Sequence, residues 1–235
     1  MDRFFAAELN QSDVSVTLDE TESHHLAKVL RKNLDDVVEL FDGHGASATA
    51  VVERIEKRKV HLRIRDRLEF EPVPASTLTL AVAPPKGDRF RWLVEKATEL
   101  GVDRLIPLNT ERSVVNPRDA KLEKMRHAVI AACKQCRRNR LMEIAEPMTW
   151  SELREHAIPQ SSTWIAHPGG QEWSELSWKS PETNYLFIIG PEGGLTDAEV
   201  ESAIAAGAKS ISLGPRILRI ETAAIAIAAV LGANR

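Results

Sequence analysis

The chain has 235 residues, of which 43% are hydrophobic and 28% charged; this supports one or two folded domains and excludes an intrinsically disordered protein. No apolar run reaches the ~18 residues of a membrane-crossing helix, the longest being Thr222–Ala233, and Met1-Asp2-Arg3-Phe4-Phe5 lacks the basic and apolar regions of a secretory signal. With only two cysteines, Cys133 and Cys136, a reducing cytoplasm is expected. The net charge of −3 conceals a segregation, with local balances of +5 over Arg54–Arg67, +7 over Arg112–Arg140 and −9 over Leu141–Ala206. The two basic stretches read either as solvated faces or as a grip on a polyanion.

The first seventy residues read as mostly β. Ser15–Leu18 is a predicted strand, and Thr21–Arg31 a short helix with Leu26, Val29 and Leu30 on its apolar side. Val37–Phe41 runs into Asp42-Gly43-His44-Gly45, a hairpin turn, and Ala46–Ile55 returns. Val60, Leu62 and Ile64 alternate with His61, Arg63 and Arg65, which turns basic side chains to one strand face. A small barrel or sandwich is expected. Glu69-Phe70-Glu71-Pro72-Val73-Pro74 then breaks the pattern like a stiff linker, placing a boundary between a β domain of residues 1–72 and a second domain of residues 73–235.

From Thr77 the rhythm changes to alternating strands and helices: strands at Leu78–Ala83, Arg104–Leu108, Thr163–Ala166, Tyr185–Ile189 and Lys209–Leu213, helices at Arg89–Leu100, Leu122–Arg137, after the capping box Thr196-Asp197-Ala198-Glu199, and at Glu221–Leu231. This is the pattern of an α/β domain with a largely parallel sheet covered on both faces. The side chains at 223–231 are all Ala, Ile, Val or Leu, so the last helix needs cover on every side, more than one layer of its own domain can give.

Three predicted strand ends carry glycine-rich loops. Ile189 leads into Gly190-Pro191-Glu192-Gly193-Gly194, Leu213 into Gly214-Pro215-Arg216, and Ala166 into His167-Pro168-Gly169-Gly170. None is G-x-G-x-x-G or a Walker loop, which argues against an ordinary dinucleotide fold or a P-loop NTPase. Together they suit a ligand crevice at the carboxyl ends of parallel strands. Cys133-Lys134-Gln135-Cys136 is C-x-x-C on a predicted helix, read as packing or as a metal or redox pair; two cysteines exclude a disulfide framework. His24 and His25 have no spaced ligand partner, and Trp150, Trp164, Trp173 and Trp178 read as packing or as stacking platforms for RNA.

Gly190–Gly194 followed by Leu213-Gly214-Pro215-Arg216-Ile217-Leu218-Arg219-Ile220-Glu221-Thr222-Ala223 resembles the RsmE family of ribosomal RNA small-subunit methyltransferases, of the SPOUT superfamily. His24-His25-Leu26, Val29-Leu30-Arg31, Thr98-Glu99-Leu100-Gly101-Val102 and Gln135-Cys136-Arg137-Arg138 agree in the same order, so the likeness spans nearly the whole chain. One departure is Ile220, where the family carries Thr. The resemblance implies an N-terminal PUA-like β-barrel and a C-terminal SPOUT domain, α/β with a mainly parallel sheet and a trefoil knot. It implies a homodimer that methylates N3 of a uridine in 16S ribosomal RNA of the small subunit with S-adenosylmethionine and without a metal. The cofactor would lie against Ala166, His167 and Pro168, against Ile189, Gly190, Pro191, Glu192, Gly193 and Gly194, and against Leu213, Gly214, Arg216, Ile217, Leu218 and Thr222.

Uracil N3 is a poor nucleophile until it loses its proton, and the resulting charge spreads onto O2 and O4. Arg219, opposing the positive end of a helix dipole, is the candidate to stabilise that charge, with Glu221 to hold its guanidinium. Glu192 and Glu221 are the candidate proton acceptors. Arg3, Arg31, Arg63, Arg65, Arg112, Arg137 and Arg138 are the arginines expected to meet RNA. Two alternatives stand beside this reading: a SPOUT methyltransferase acting on transfer RNA or a ribose 2′-hydroxyl, and a non-catalytic RNA-binding protein that keeps the fold. Binding of S-adenosylhomocysteine separates enzyme from binder.

Overall fold

Strand-period alternation in the first part of the chain and helix–strand alternation in the second produce two units in a computed structural model, which describes residues 1–9, 14–67, 70–116, 119–173 and 184–232, excepting the side chains of 119 and 120. One unit is Met1–Val73 with Cys133–Leu141; the other is Pro74–Ala132 with Met142–Arg235. The first contains β1 (Arg3–Phe5), β2 (Ser15–Thr17), β3 (Val37–Phe41), β4 (Ser47–Ile55) and β5 (Val60–Arg67) in one sheet of order β1-β3-β4-β5-β2. Only the β1–β3 pair is parallel. Strand β1 had no periodic signal, being three residues long. Phe4, Val38, Leu40, Ala48, Ala50, Val52, Val60 and Leu62 are fully buried on the inner face, whereas Arg63 and Arg65 are exposed, as the alternation predicts. Asp42 closes the β3–β4 hairpin, its Oδ1 accepting from the backbone N–H of His44 at 2.7 Å and of Ala46 at 2.9 Å.

The helix expected over Thr21–Arg31 is shorter and irregular. Helix α1 (Glu20–His24) starts at Asp19, whose carboxylate accepts from the Glu22 N–H at 2.7 Å, and continues as a π-helical turn over His25–Val29. The wider i→i+5 turn carries later residues off the inward stripe. Leu26 is therefore buried, while Val29 is 59% exposed and Leu30 37%.

The second unit holds β6 (Leu78–Val82), α2 (Arg89–Glu99), β7 (Arg104–Asn109), α3 (Asp119–Cys136, whose last turn belongs to the first unit), β8 (Glu143–Ile144), β9 (Met148–Thr149), α4 (Trp150–Glu152), β10 (Ser162–Glu172), β11 (Tyr185–Ile189), α5 (Asp197–Ala205), β12 (Lys209–Ser212) and α6 (Ile220–Gly232). The sheet runs β12-β10-β11-β6-β7-β8, with β9 also on β7, and every pair is parallel. Its central strands bury Leu80, Ala81, Val82 and Phe187, Ile188, Ile189 in continuous runs, as strands covered on both faces do. Helix α6 packs on α2, β6 and β11 through Ala223, Ala224, Ile227, Ala228 and Leu231. Its other side, with Thr222, Ala226, Ala229 and Val230 exposed and Ile225 half-buried, is an almost wholly apolar stripe.

Trp164 is buried, Trp150 donates its indole N–H to Ser202 Oγ at 3.0 Å, and Trp173 lies 6.0 Å from the Phe187 ring, so all three pack within the unit; Trp178 falls outside the described residues. In the first unit Cys133 is buried, which pushes its thiol up to about 12 and leaves it a neutral packing residue. Among the described residues no three His, Cys, Asp or Glu side chains converge as metal ligands.

Strand β10 does not stop at Ala166. It resumes on β12 after a four-residue excursion, since Ala166 and Gln171 both stand opposite Ile211. His167-Pro168-Gly169-Gly170 is thus a bulge within a strand rather than its end. Gly170 has no room for a side chain: a Cβ there would sit 2.4 Å from the Ile211 nitrogen and 2.5 Å from its carbonyl carbon. Because the obstacle is backbone, Gly170→Ala must prise β10 from β12, and a loss of about 1–3 kcal/mol is expected in urea denaturation. An unchanged midpoint would contradict this close approach.

Candidate functional site

Parallel alignment puts the chain segments that follow the paired parts of β10, β11 and β12 at one edge of the sheet. There His167-Pro168, Gly190–Leu195 and Leu213–Ile220 enclose a cavity of about 460 Å³. Gly190 starts the middle loop under a tight constraint: a Cβ would come within 2.9 Å of Leu195 Cγ and 3.2 Å of the Leu195 nitrogen. The Gly194 N–H donates to the Pro191 carbonyl at 2.8 Å, and Thr196 then opens α5 with a reciprocal capping box, Glu199 N–H to Thr196 Oγ1 at 3.2 Å and Thr196 N–H to Glu199 Oε2 at 2.9 Å.

The cavity brings together Ala166, His167, Pro168, Ile189, Gly190, Pro191, Glu192, Gly194, Leu213, Gly214, Arg216, Ile217 and Leu218, all singled out from the sequence, with Arg219. Gly193 and Thr222 do not line it: the Gly193 carbonyl meets Arg112, and Thr222 is exposed on α6. Leu195, Ile220 and Ala223 line it without having been anticipated. Ile220, in the place where the resemblance expects Thr, is 4% exposed and adds an apolar branch to the wall. Arg219 is exposed, and its side chain makes no hydrogen bond or ion pair among the described residues; its carbonyl accepts from the Ala223 N–H at 2.9 Å, in the first turn of α6. Glu221 does not hold it, contrary to expectation. The Glu221 carboxylate turns to Arg89, with Oε1 at 3.7 Å from Nη1, because Arg89 enters from the start of α2. Arg89 also donates from Nη2 to Glu192 Oε1 at 3.2 Å. The Glu221 side chain is 10% exposed, and its Oε2 has no hydrogen-bond partner among the described residues. A buried acceptor without a donor is costly and needs an explanation.

The arginines assigned to RNA divide. Arg31, Arg63, Arg65 and Arg137 are exposed; Arg63 pairs on the surface with Glu53 at 3.9 Å, and Arg137 reaches the largely buried Glu39 at 3.5 Å. Arg138 is half-buried, and its carbonyl accepts from Arg3. Arg112 is exposed but committed at one end, donating from Nη1 to the Gly193 carbonyl at 2.9 Å. Arg3 leaves the set. It is 6% exposed, its guanidinium donates to the Cys133 carbonyl at 2.9 Å and to Asn139, and it pairs with Glu39 at 3.0 Å. A group so enclosed cannot reach a phosphate. His25, an isolated histidine in the sequence, sits 3.0 Å from Lys134 Nζ, and burial, then the Lys134 charge, lowers its pKa. Lys134 in turn pairs with the buried Glu22 at 2.8 Å.

Two family models match the chain, an RNA methyltransferase PUA domain over residues 18–65 and an RNA methyltransferase domain over residues 71–232. The ribosomal RNA small subunit methyltransferase E of Bacillus subtilis is 34% identical over 86% of this chain and 83% of its own length. The enzyme of that name from Neisseria gonorrhoeae, solved bound to S-adenosylmethionine, superposes with a TM-score of 0.89 at 30% identity, covering 100% of this chain and 98% of that one. A methyltransferase from Legionella pneumophila, solved with the same cofactor, superposes with a TM-score of 0.90 at 32% identity over 100% of this chain and 98% of that one. With two matching domain models in the expected order and relatives alike over most of their length, the chain belongs to the ribosomal RNA small subunit methyltransferase E family.

Proposed function

We propose that this protein transfers a methyl group from S-adenosylmethionine to N3 of a uridine in 16S ribosomal RNA of the small subunit. The observation that carries the reading is the convergence of three strand-edge loops on one largely apolar cavity with an unpaired arginine on its rim. The cavity fits the cofactor: about 460 Å³ lies within the usual range for small-molecule sites. A Cβ built on Gly194 or Gly214, both in the lining, would meet nothing within 4 Å, so the space beside them is free for a ligand. The cationic, N–H-rich cofactor also suits the unpaired Glu221 Oε2 nearby.

S-adenosylmethionine supplies a methyl group on a sulfonium, so the protein's tasks are to position the base, exclude water and manage one proton. The apolar walls formed by Ile189, Leu195, Leu213, Leu218 and Ile220 exclude water. Arg219 stabilises the anion that forms on O2 and O4 of the base. Glu192 or Glu221 accepts the N3 proton. Residues 1–72, with Cys133–Leu141 in the same unit, serve as the RNA-binding domain, and the remainder of 73–235 as the transferase domain, whose C-terminal part forms the trefoil knot. Arg31, Arg63, Arg65, Arg137 and Arg138 grip the backbone, and Arg112, whose Nη1 is held by the Gly193 carbonyl, adds a contact beside the cavity through the rest of its guanidinium. No helix of the described residues is long and apolar enough to cross a membrane. A substrate in the small ribosomal subunit places the work in the cytoplasm. The outward stripe of α6 is where a second copy packs to form a homodimer.

Arg219→Ala is expected to lower the rate of methyl transfer at saturation by about 10²–10³, the usual effect of losing one charge-stabilising donor, with S-adenosylhomocysteine affinity retained. Retained turnover with lost affinity would make Arg219 a cofactor clamp instead. In light scattering the protein should be a dimer at micromolar concentration, and Ala226→Glu with Ala229→Glu, both exposed in one copy, should give a folded monomer. A dimer in that variant would place the interface elsewhere. Replacing Arg63 and Arg65 by Glu should reduce the slope of log K against log salt concentration for RNA binding by roughly 1.4–1.8, at about 0.7–0.9 per phosphate. An unchanged slope would mean that this face of β5 does not meet RNA.

A further inference from the structure

We propose that Arg89 is a positioning residue that, together with Arg112, holds the Gly190–Gly194 loop in its cofactor-binding shape and fixes it to the start of α6. The proposal rests on the cavity being the S-adenosylmethionine site. Two consecutive loop residues are tied to arginines from separate connections: Glu192 to Arg89 at 3.2 Å, and the Gly193 carbonyl to Arg112 at 2.9 Å. Arg89 stands at the first position of α2, after β6, and Arg112 follows β7. The Arg112 segment is itself pinned, since the Glu111 N–H donates at 2.9 Å to Glu199 Oε1, whose other oxygen caps α5. Glu199 is 7% exposed, so this brace is internal.

Glycines lose the most freedom on being fixed, so a loop with three of them does not keep one shape by local preference. Ties to rigid neighbours pre-organise it before a ligand arrives. Moreover, a cation at the first position of a helix opposes the helix dipole, so Arg89 is badly placed for α2 and well placed only for its carboxylates. One of these is Glu221, nine-tenths buried, in the first turn of α6 beside the cavity-lining Ile220 and Ala223. A guanidinium fork reaches both carboxylates at once, which a lysine cannot do with the same geometry. Arg89 therefore connects the second strand-edge loop to the third, and the two move as one wall of the cavity.

The test is calorimetry with S-adenosylhomocysteine on the full chain, comparing Arg89→Met, Arg89→Lys, Glu192→Gln and the double variant Arg89→Met with Glu192→Gln, each checked by thermal melting. Arg89→Met should weaken binding by about 3- to 30-fold, in the range of residues that act through a neighbour, with Arg89→Lys in between. The double variant should bind about as Arg89→Met does, because both changes cut the same tie. Saturated turnover should fall while KM for RNA holds. Fully additive losses, or unchanged affinity in Arg89→Met with a raised KM for RNA, would overturn the proposal; the latter would make Arg89 a substrate contact. Should Arg89→Met melt below the assay temperature, Arg89→Lys carries the same test in the same direction. A wild-type protein that fails to bind S-adenosylhomocysteine overturns the methyltransferase reading itself.

Discussion

The common direction of β10, β11 and β12 is the constraint on which the site depends. Parallel neighbours send their following segments to one edge of the sheet, so segments far apart in the chain meet without further instruction. β10 lies between the other two, and its excursion must leave the sheet at the right height. The register enforces that, with Ile211 facing Ala166 on one side of the bulge and Gln171 on the other. In a sheet buried on both faces the register is fixed by close packing, since a slip would set Leu186, Phe187 and Ile188 against neighbours shaped for other side chains.

Binding loops built from glycine and proline have backbone groups to offer but little to hold them still. Here the stiffness is supplied from outside the loops. The carboxylate of Glu199 serves two connections at once, as cap of α5 and acceptor for the Glu111 N–H. Leu195 fills the space under Gly190 and anchors the far end of the same loop. Near the cavity the exposed guanidinium of Arg219 has no protein partner among the described residues, and one buried oxygen of Glu221 has none either. A buried oxygen without a donor costs stability, which the fold alone does not explain and a donor brought by a ligand would.

Much of this was legible in the sequence because the loops announce themselves. Glycine and proline after an apolar run mark both a strand's edge and a place where backbone can approach a ligand, which is why Gly190 to Gly194 and Leu213 to Leu218 could be placed. The same signal misled at His167-Pro168-Gly169-Gly170, which reads as a strand's end although pairing with β12 resumes beyond it. The loop-holding roles of Arg89 and Arg112 carry no sequence signal: Arg89 reads only as the start of a helix and Arg112 as an RNA contact, because their partners lie 103 and 81 residues away. Arg3 misled in the opposite sense. An arginine three residues from the amino terminus looks solvated, and only long-range partners such as the Cys133 carbonyl, 130 residues on, bury it. Val29 and Leu30 fit a helical stripe on paper, but one π turn rotates them outward.

Where a cofactor touches the chain is read directly by hydrogen exchange with and without S-adenosylhomocysteine. Opening of ligand loops is local, so protection on binding maps to the segments that close. The account predicts slowed exchange in three separate peptides, covering residues 166–172, 190–195 and 213–220, with β3 and β4 unchanged. Protection confined to one of the three, or located in the first unit, would contradict a site assembled at the carboxyl edge of the parallel sheet.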